Sequence, residues 1–143
     1  MIKRKIQKIN SPYGKRTFNG ETLFHQGVDL RSWNKIIWKR QPAVFPERCL
    51  IIKKWFDKWG GGLRYQGLET GTLFKSFHLK INDNIIVGGV YGSGEVIGKS
   101  MQTKYMKQVG SGEHEHFETW RSWKNGDHFN PVEYFKLRGI KYE

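Results

Sequence analysis

Short apolar runs, broken by glycines and turn-forming residues, recur along the chain. They are CLIIKKWF (49–56), GLETGTLFKSFHL (67–79), DNIIVGGV (83–90), GEVIG (94–98) and HEHFETW (114–120). Short runs of this kind are typical of β-strands, whereas a long amphipathic helix would repeat its apolar positions every three to four residues. The pattern therefore predicts a mainly β protein built on an antiparallel sheet with hairpins and loops.

Turn and capping signals lie between and after these runs. NDN (82–84) and KNGD (124–127) predict turns, and Asn-Gly in the second is a favoured hairpin connection. GGVYGSGEVIG (88–98) is rich in glycine, but a phosphate loop should open a helix, and another apolar run follows here instead. We therefore expect a tight turn between strands. NPVEYFKL (130–137), with proline at its first helical position, predicts a short C-terminal helix.

Length and cysteine content limit the class of protein. A chain of 143 residues favours one domain. No apolar stretch approaches the roughly 18 residues of a membrane span. The basic start MIKRKIQKIN has no apolar segment after it, so we expect no secretory signal peptide. Cys49 is the single cysteine, which excludes an internal disulfide; at the start of a predicted strand, we expect it to be a buried apolar residue.

The charge is strongly positive. The formal net charge is +12, and basic residues are scattered from Lys3 to Lys141. Such a surface attracts polyanions through long-range, salt-screened fields. Nucleic acid, acidic lipid surfaces and anionic cell-wall polymers all qualify, so charge indicates a class of partner and nothing finer.

The histidines suggest a metal site. His114 and His116 lie one residue apart, and on a strand such residues project from the same face, whereas on a helix they diverge by about 200°. His25 and Asp29 are four residues apart, again an even step along an extended chain. Catalytic zinc commonly takes three ligands from histidine and carboxylate and keeps a fourth position for water. His25, Asp29 and one histidine of the downstream pair would supply such a set.

Three segments, in order, resemble the M23 family of zinc peptidases, the lysostaphin-like or LytM-like peptidoglycan endopeptidases. They are GKRTFNGETLFHQGVDL (14–30), GTLFKSFHLKINDNIIVGGVYGSGEVIGKS (71–100) and SGEHEHFETWRSWKNGDHFNPVEYF (111–135). They carry motifs similar to the family's His-x-x-x-Asp, Tyr-x-His-Leu and His-x-His-Phe-Glu. The resemblance covers residues 14–135 and implies one M23-like domain over residues 1–143, with an antiparallel sheet forming a substrate groove.

The resemblance also implies roles for individual residues. His25, Asp29 and His116 would hold one Zn²⁺ ion. His114 would be the general base, and His78 the second catalytic imidazole, facing the substrate carbonyl. The implied activity is hydrolysis of peptide bonds in bacterial peptidoglycan, in cross-links or stem peptides. The implied protein is a monomer whose functional target is not nucleic acid and whose basic surface suits anionic cell-wall polymers.

Several positions depart from the family pattern or fall outside it. Glu113 and Glu115 stand where the family commonly has proline and an apolar residue; by alternation Glu115 should point away from the metal, toward solvent or a basic partner. Glu118 shares the face of His116 and could fix its tautomer or form a structural salt bridge. His128 is expected to be an exposed turn residue. Residues 99–110 form a longer connection than the family's usual loop.

Three questions stay open from sequence. The bond that is cut could be a glycine–glycine bridge, a D-alanine–diaminopimelate cross-link or another stem-peptide bond. The protein would reach the cell wall as a phage endolysin, as a virion component or after an unlisted leader. An inactive LytM-like module that binds the envelope or activates a hydrolase is the main alternative. A nucleic-acid-binding β domain would explain the charge but leave the histidines to chance.

Overall fold

A computed structural model describes residues 6–18, 20–34 and 39–143. Their secondary structure comprises thirteen strands and two short helices. The strands are β1 (Ile6–Ser11), β2 (Gly14–Phe18), β3 (Glu21–His25), β4 (Val28–Asn34), β5 (Lys39–Gln41), β6 (Ala43–Val44), β7 (Cys49–Asp57), β8 (Gly60–Gly67), β9 (Leu73–Ile81), β10 (Val90–Tyr91), β11 (Val96–Ser100), β12 (Glu115–Trp120) and β13 (His128–Phe129). The helices are α1 (Lys104–Gln108) and α2 (Pro131–Arg138).

One antiparallel sheet organises the domain, as the sequence predicted. Its strands run in the order β1-β4-β12-β9-β8-β7-β10, while β5, β13 and β11 pair at the side of this path and β6 pairs with β11. The β2–β3 hairpin forms a separate two-stranded sheet. Strands from the beginning and the end of the chain, β4 and β12, are neighbours, so the two histidine-containing motifs meet in the middle of the sheet.

Aromatic rings fill the core on one face of this sheet. Phe74 on β9 stacks on Tyr65 of β8 at 5.1 Å and on Phe117 of β12 at 5.7 Å between ring centroids. Tyr134 of α2 meets the Phe74 ring edge-on at 5.0 Å. Since side chains alternate along a strand, burying these residues directs their neighbours on β9 and β12 to the opposite face.

The C-terminal helix begins as predicted. Asn130 caps it, its side-chain oxygen accepting the Val132 amide at 3.0 Å, and Pro131 occupies the first turn. The helix ends at Gly139, whose φ of 67° is favourable only without a side chain.

A buried carboxylate holds this helix to the sheet. Glu47 accepts hydrogen bonds from the amides of Glu69 and Thr70 at 2.9 and 3.0 Å. Its other oxygen accepts the hydroxyls of Thr70 and Tyr134 at 2.7 and 2.5 Å. Burial opposes ionisation, but these four donors hold the pKa of Glu47 below its usual value.

Other predictions have mixed outcomes. Cys49 lies fully buried at the start of β7, as expected. Residues 83–90 are mostly turn, where the Ile85 amide donates to the Asn82 carbonyl, and become a strand only at Val90.

His128 is not an exposed turn residue: it lies on β13, half-buried, with its ring 5.1 Å from that of Trp120. Neither helix in the described ranges has the length and apolarity needed to cross a bilayer.

Candidate metal centre

The first two candidate ligands flank a tight connection between β3 and β4. His25 ends β3, and Asp29 is the second residue of β4. Gly27, between them, lies so close to β12 that a Cβ there would be 2.4 Å from the Phe117 carbonyl oxygen. Only glycine therefore allows this connection to pass over the strand that carries His116.

The third candidate ligand comes from β12. Strand pairing places His116 directly opposite Asp29. His25 Nε2 lies 3.1 Å from Asp29 Oδ1 and 3.3 Å from His116 Nδ1. His116 Nδ1 lies 3.1 Å from the same Asp29 oxygen. The three residues that the sequence suggested as a metal set are thus brought together, with one donor atom each within 4.8 Å of the others.

Hydrogen bonds on the far side of each ring determine which nitrogens face inward. A carbonyl can only accept, so His25 Nδ1 carries the proton that it donates to Pro12 O at 2.8 Å. His116 Nε2 likewise donates to the Glu118 carboxylate at 2.7 Å. In their neutral forms both rings therefore direct a lone pair at the Asp29 carboxylate.

Three electron-pair donors converging on one point fit a divalent cation. Zinc binds histidine nitrogen and carboxylate oxygen at about 2.0–2.2 Å, and a tetrahedron of that radius has an edge of about 3.3–3.6 Å. The 3.1–3.3 Å separations between the donor atoms come close to this edge. Two imidazoles and one carboxylate are also a donor set found in catalytic zinc sites.

The electrostatics of the cluster follow from the same contacts. Burial disfavours the charged form of each group, but hydrogen bonds that the protonated rings of His116 and His25 donate hold the pKa of Asp29 well below its usual range. Likewise, despite burial, hydrogen bonds to Asp29 and Glu118 raise the pKa of His116 to about 9. A proton and a metal cation would compete for the same electron pair of His116.

Glu118 connects the centre to the core. Its carboxylate accepts His116 Nε2 at 2.7 Å with one oxygen and Trp120 Nε1 at 2.7 Å with the other. It is buried, and its pKa is lowered because these hydrogen bonds and the charge of His116 outweigh the effect of burial. The sequence suggested that Glu118 either fixes the tautomer of His116 or forms a structural salt bridge. Its contact with Nε2, on the far side of the His116 ring, supports the first role.

Two further imidazoles stand beside the cluster. The rings of His78 and His114 lie 4.7 Å apart, and His114 Nε2 is 3.4 Å from Asp29 Oδ1. His78 Nδ1 donates to Trp59 O at 2.8 Å, and His114 Nδ1 donates to Gly112 O at 2.7 Å. In both neutral rings the proton is on Nδ1, so Nε2 can accept one.

The backbone of His78 is unusual. Its φ of 64° makes it the one non-glycine residue with positive φ in the described ranges. Such a conformation is costly for a residue with a Cβ, and it persists where the surroundings impose it, often at functional sites.

A cleft of about 450 Å³ opens beside these imidazoles. Its walls are largely aromatic and contain one lysine and one aspartate. The lining residues are Trp55, Asp57, Trp59, Gly60, Lys75, Phe77, His78 and His116. Tyr105 of α1 packs edge-on against Trp59 at 4.8 Å between ring centroids. The connection of residues 99–110 thus contains a helix that supports one wall.

Glu115 differs from its prediction. It is buried, with 4% of its surface exposed, so the expectation that it meets solvent is wrong. Alternation does turn it away from the metal centre, but that face of β12 packs inward, as buried Phe117 on the same face shows.

Sequence reasoning did not identify Lys75 or Phe77 as cleft residues. Phe77 stacks on His116 at 5.4 Å between ring centroids, although it directly precedes His78, which also lines the cleft. Strand alternation would place adjacent residues on opposite faces; the left-handed backbone at His78 breaks that alternation, and no sequence signal marks it.

Comparison with known proteins defines the fold. No protein-family model matches the chain, and no curated protein matches its sequence. Among solved structures, it is similar to the catalytic domain of the antimicrobial peptidase lysostaphin from Staphylococcus simulans, with a TM-score of 0.68, 23% identity and coverage of 91% of this chain and 92% of that one.

Two other solved structures are similar. One is the catalytic domain of a mutant of EnpA, a prophage-encoded M23 protein from Enterococcus faecalis, with a TM-score of 0.62, 20% identity and coverage of 90% and 91%. The other is a chain of the SpoIIIAH–SpoIIQ complex, with a TM-score of 0.62, 19% identity and coverage of 91% and 93%. At these identities the likeness shows the fold: the chain has the lysostaphin-like fold of M23 peptidase domains.

Proposed function

We propose that this protein is a zinc-dependent endopeptidase that hydrolyses peptide bonds in bacterial peptidoglycan. The observation that carries the proposal is the convergence of His25 Nε2, Asp29 Oδ1 and His116 Nδ1 beside two imidazoles at one end of a cleft. The shared fold with peptidase domains supports it. The donor set suits Zn²⁺, which when bound activates water as a nucleophile near neutral pH and polarises a carbonyl.

His114 is the proposed general base. Its Nδ1–H donates to Gly112 O, so in the neutral ring Nε2 carries the lone pair that would take a proton from an attacking water and return it to the leaving amine. A positioned acid–base group of this kind typically contributes about 10²–10⁴-fold to the rate.

His78 has a more restricted role than the family resemblance implied. Burial lowers its pKa to about 4, so the ring is neutral at physiological pH, and its Nδ1 proton is used by Trp59 O. A neutral His78 presents a lone pair at Nε2 and can donate to a developing oxyanion only after it is protonated. We infer that Nε2 receives the second proton of the attacking water as the tetrahedral intermediate forms, and then donates it in a hydrogen bond to the charge on the substrate carbonyl oxygen.

The location and form of the protein belong to the same proposal. We infer a monomeric domain that acts on the cell wall, as a phage lysin or by another route. A net charge of +12 would bring it to walls rich in anionic polymers and make its activity fall with salt.

Two histidine variants test the proposal. His116→Ala should lose zinc, measured by metal analysis of the purified protein, because a proposed ligand is removed. His114→Ala should keep zinc but lose digestion of purified sacculi, because only the base is removed. His128→Gln, which changes the remaining histidine outside the site, is the control, and circular dichroism checks that each variant folds. Digestion of sacculi by both alanine variants at the parent rate would refute the assignment.

A binding module is the second candidate, because a chain of a protein complex, SpoIIIAH–SpoIIQ, shares the fold. Zymography on purified peptidoglycan separates the two. A parent protein that binds sacculi and zinc but releases no peptide would favour the binding module.

A further inference from the structure

Three cations face one another across the sheet beside the cleft. Strand pairing places Lys53 of β7 opposite Arg64 of β8, and Arg64 opposite Lys75 of β9. Neighbouring strands are about 4.8 Å apart, and like charges directly opposite one another destabilise a sheet. We refer to Lys53, Arg64 and Lys75 as the cationic row.

Aromatic faces, not carboxylates, hold this row. Lys53 Nζ lies 5.8 Å from the Trp55 ring centroid, the Arg64 guanidinium 4.8 Å from Trp123, and Lys75 Nζ 4.7 Å from Phe77. Across the described ranges no salt bridge reaches any of the three cations. Arg64 Nε is buried without a hydrogen-bond partner there. Cation–π contacts stabilise each side chain without neutralising its charge.

Among the described strands, one carboxylate lies in line with the row, and other residues already occupy both of its oxygens. Glu118 lies opposite Lys75 on β12, but its oxygens accept His116 and Trp120 at 2.7 Å each. Burial lowers the pKa of Lys75, and the nearby charges of Arg64 and Lys53 lower it further. Glu118 acts in the opposite direction but does not outweigh burial. The row therefore has positive charge that an external anion would offset.

The row begins at the cleft. Lys75 lines it together with His116, and the residue opposite Lys75, Glu118, is two residues along β12 from His116. Two residues of a strand span about 7 Å, the reach of about two extended peptide units. Asp57, the acidic residue of the cleft, lies four residues along β7 from Lys53, or about 13 Å. A bound anion is therefore directed toward Lys75.

We propose that the cationic row binds a free carboxylate of the peptide whose bond is cut, so that the preferred substrate is an acidic stem peptide and not a neutral glycine bridge. This inference rests on the proposed function and narrows its substrate. A stem residue with a free carboxylate near the scissile bond, such as a diamino-dicarboxylic acid, presents the required charge, whereas glycine has no side-chain charge.

A pair of substrates tests it. One is a cross-linked stem peptide with free carboxylates, and the other is the same peptide with those carboxylates amidated. A charge-assisted contact in a half-open site should give the parent about a tenfold higher kcat/KM on the free acid. Lys75→Met should remove that preference, and Lys136→Met, the same change on the exposed face of α2, should keep it. Lys75→Arg, which preserves the charge, should also keep it and shows that the position tolerates change.

Binding provides a readout that does not depend on turnover. Calorimetry of the His114→Ala variant should show tighter binding of the free acid than of the amide, and Lys75→Met in that background should abolish the difference. Cleavage of both peptides at equal kcat/KM would overturn the carboxylate subsite and leave the peptidase proposal intact. Carboxylate-selective binding without zinc-dependent cleavage would instead refute the peptidase and retain the anion site. Equal binding of both peptides, with tight binding only to phosphate-containing wall polymers, would overturn the subsite.

Discussion

Glu118→Gln should weaken zinc binding while leaving the fold intact. The wild-type carboxylate accepts two hydrogen bonds at 2.7 Å, one from His116 and one from Trp120. Glutamine has the same shape but only one acceptor oxygen and no charge. If that oxygen stays with His116, a charge-assisted bond worth about 1.5–3 kcal/mol becomes a neutral one worth about 0.5–1.5 kcal/mol.

The difference, about 1–1.5 kcal/mol, corresponds to a dissociation constant for zinc that is about five- to thirteenfold higher. Competition with a chromophoric chelator at fixed pH measures it. Glu133→Gln, the same change at an exposed carboxylate of α2, is the control and should leave the affinity unchanged. A folded Glu118→Gln protein with a zinc affinity within about twofold of the parent would refute the view that Glu118 orients His116.

Three other perturbations test other parts of the structure. Four donors hold the folded-state pKa of Glu47 below its usual 4.5, so its contribution to stability is complete above that pH and is lost as pH falls through the lower folded value. Glu47→Gln should therefore reduce the fall in the free energy of unfolding at acid pH, measured by chemical denaturation at a series of pH values. The same pH dependence in the variant and the parent would contradict this. Burial and, to a smaller extent, the nearby charge of Glu47 raise the pKa of the Cys49 thiol. A thiol reagent at pH 8 should therefore label Cys49 only after denaturation. Rapid labelling of the native protein would contradict its burial. A Cβ at Gly62 would be 2.2 Å from the Trp55 ring. Gly62→Ala should therefore displace that ring and change both tryptophan fluorescence and kcat/KM. An unchanged emission spectrum would show that the ring is not displaced.

Strand periodicity and motif spacing were enough to predict the sheet and to suggest which residues converge. Alternation predicted that His114 and His116 project from the same face. The even step from His25 to Asp29 assumed an extended chain, whereas the two residues lie on different strands, β3 and β4, on either side of a turn. The meeting of His25, Asp29 and His116 depends on β4 and β12 being neighbours, which periodicity did not predict; the family resemblance implied only that the three residues hold one ion. The roles of these residues in catalysis stay predictions.

What sequence reasoning missed depends on tertiary contacts. The five-residue helix α1 is too short to show a periodic pattern, and it is held by Thr103, which caps it and donates to Lys58 O at 2.6 Å. Alternation predicted that Glu115 meets solvent or a basic partner, and His128 was expected to be an exposed turn residue. Packing around β12 and β13 leaves Glu115 buried and His128 half-buried. The cationic row joins positions 11 residues apart in the chain, which only the strand register brings together.

The left-handed backbone at His78 sets stability against activity when this protein is engineered for higher thermal stability. A residue with a Cβ in that region costs about 1–2 kcal/mol, which glycine would not incur. A screen for thermal tolerance should therefore select His78→Gly, and the same clones should be the ones that no longer clear a lawn of bacteria. At this single residue, a gain in thermal stability would be accompanied by a loss of lytic activity.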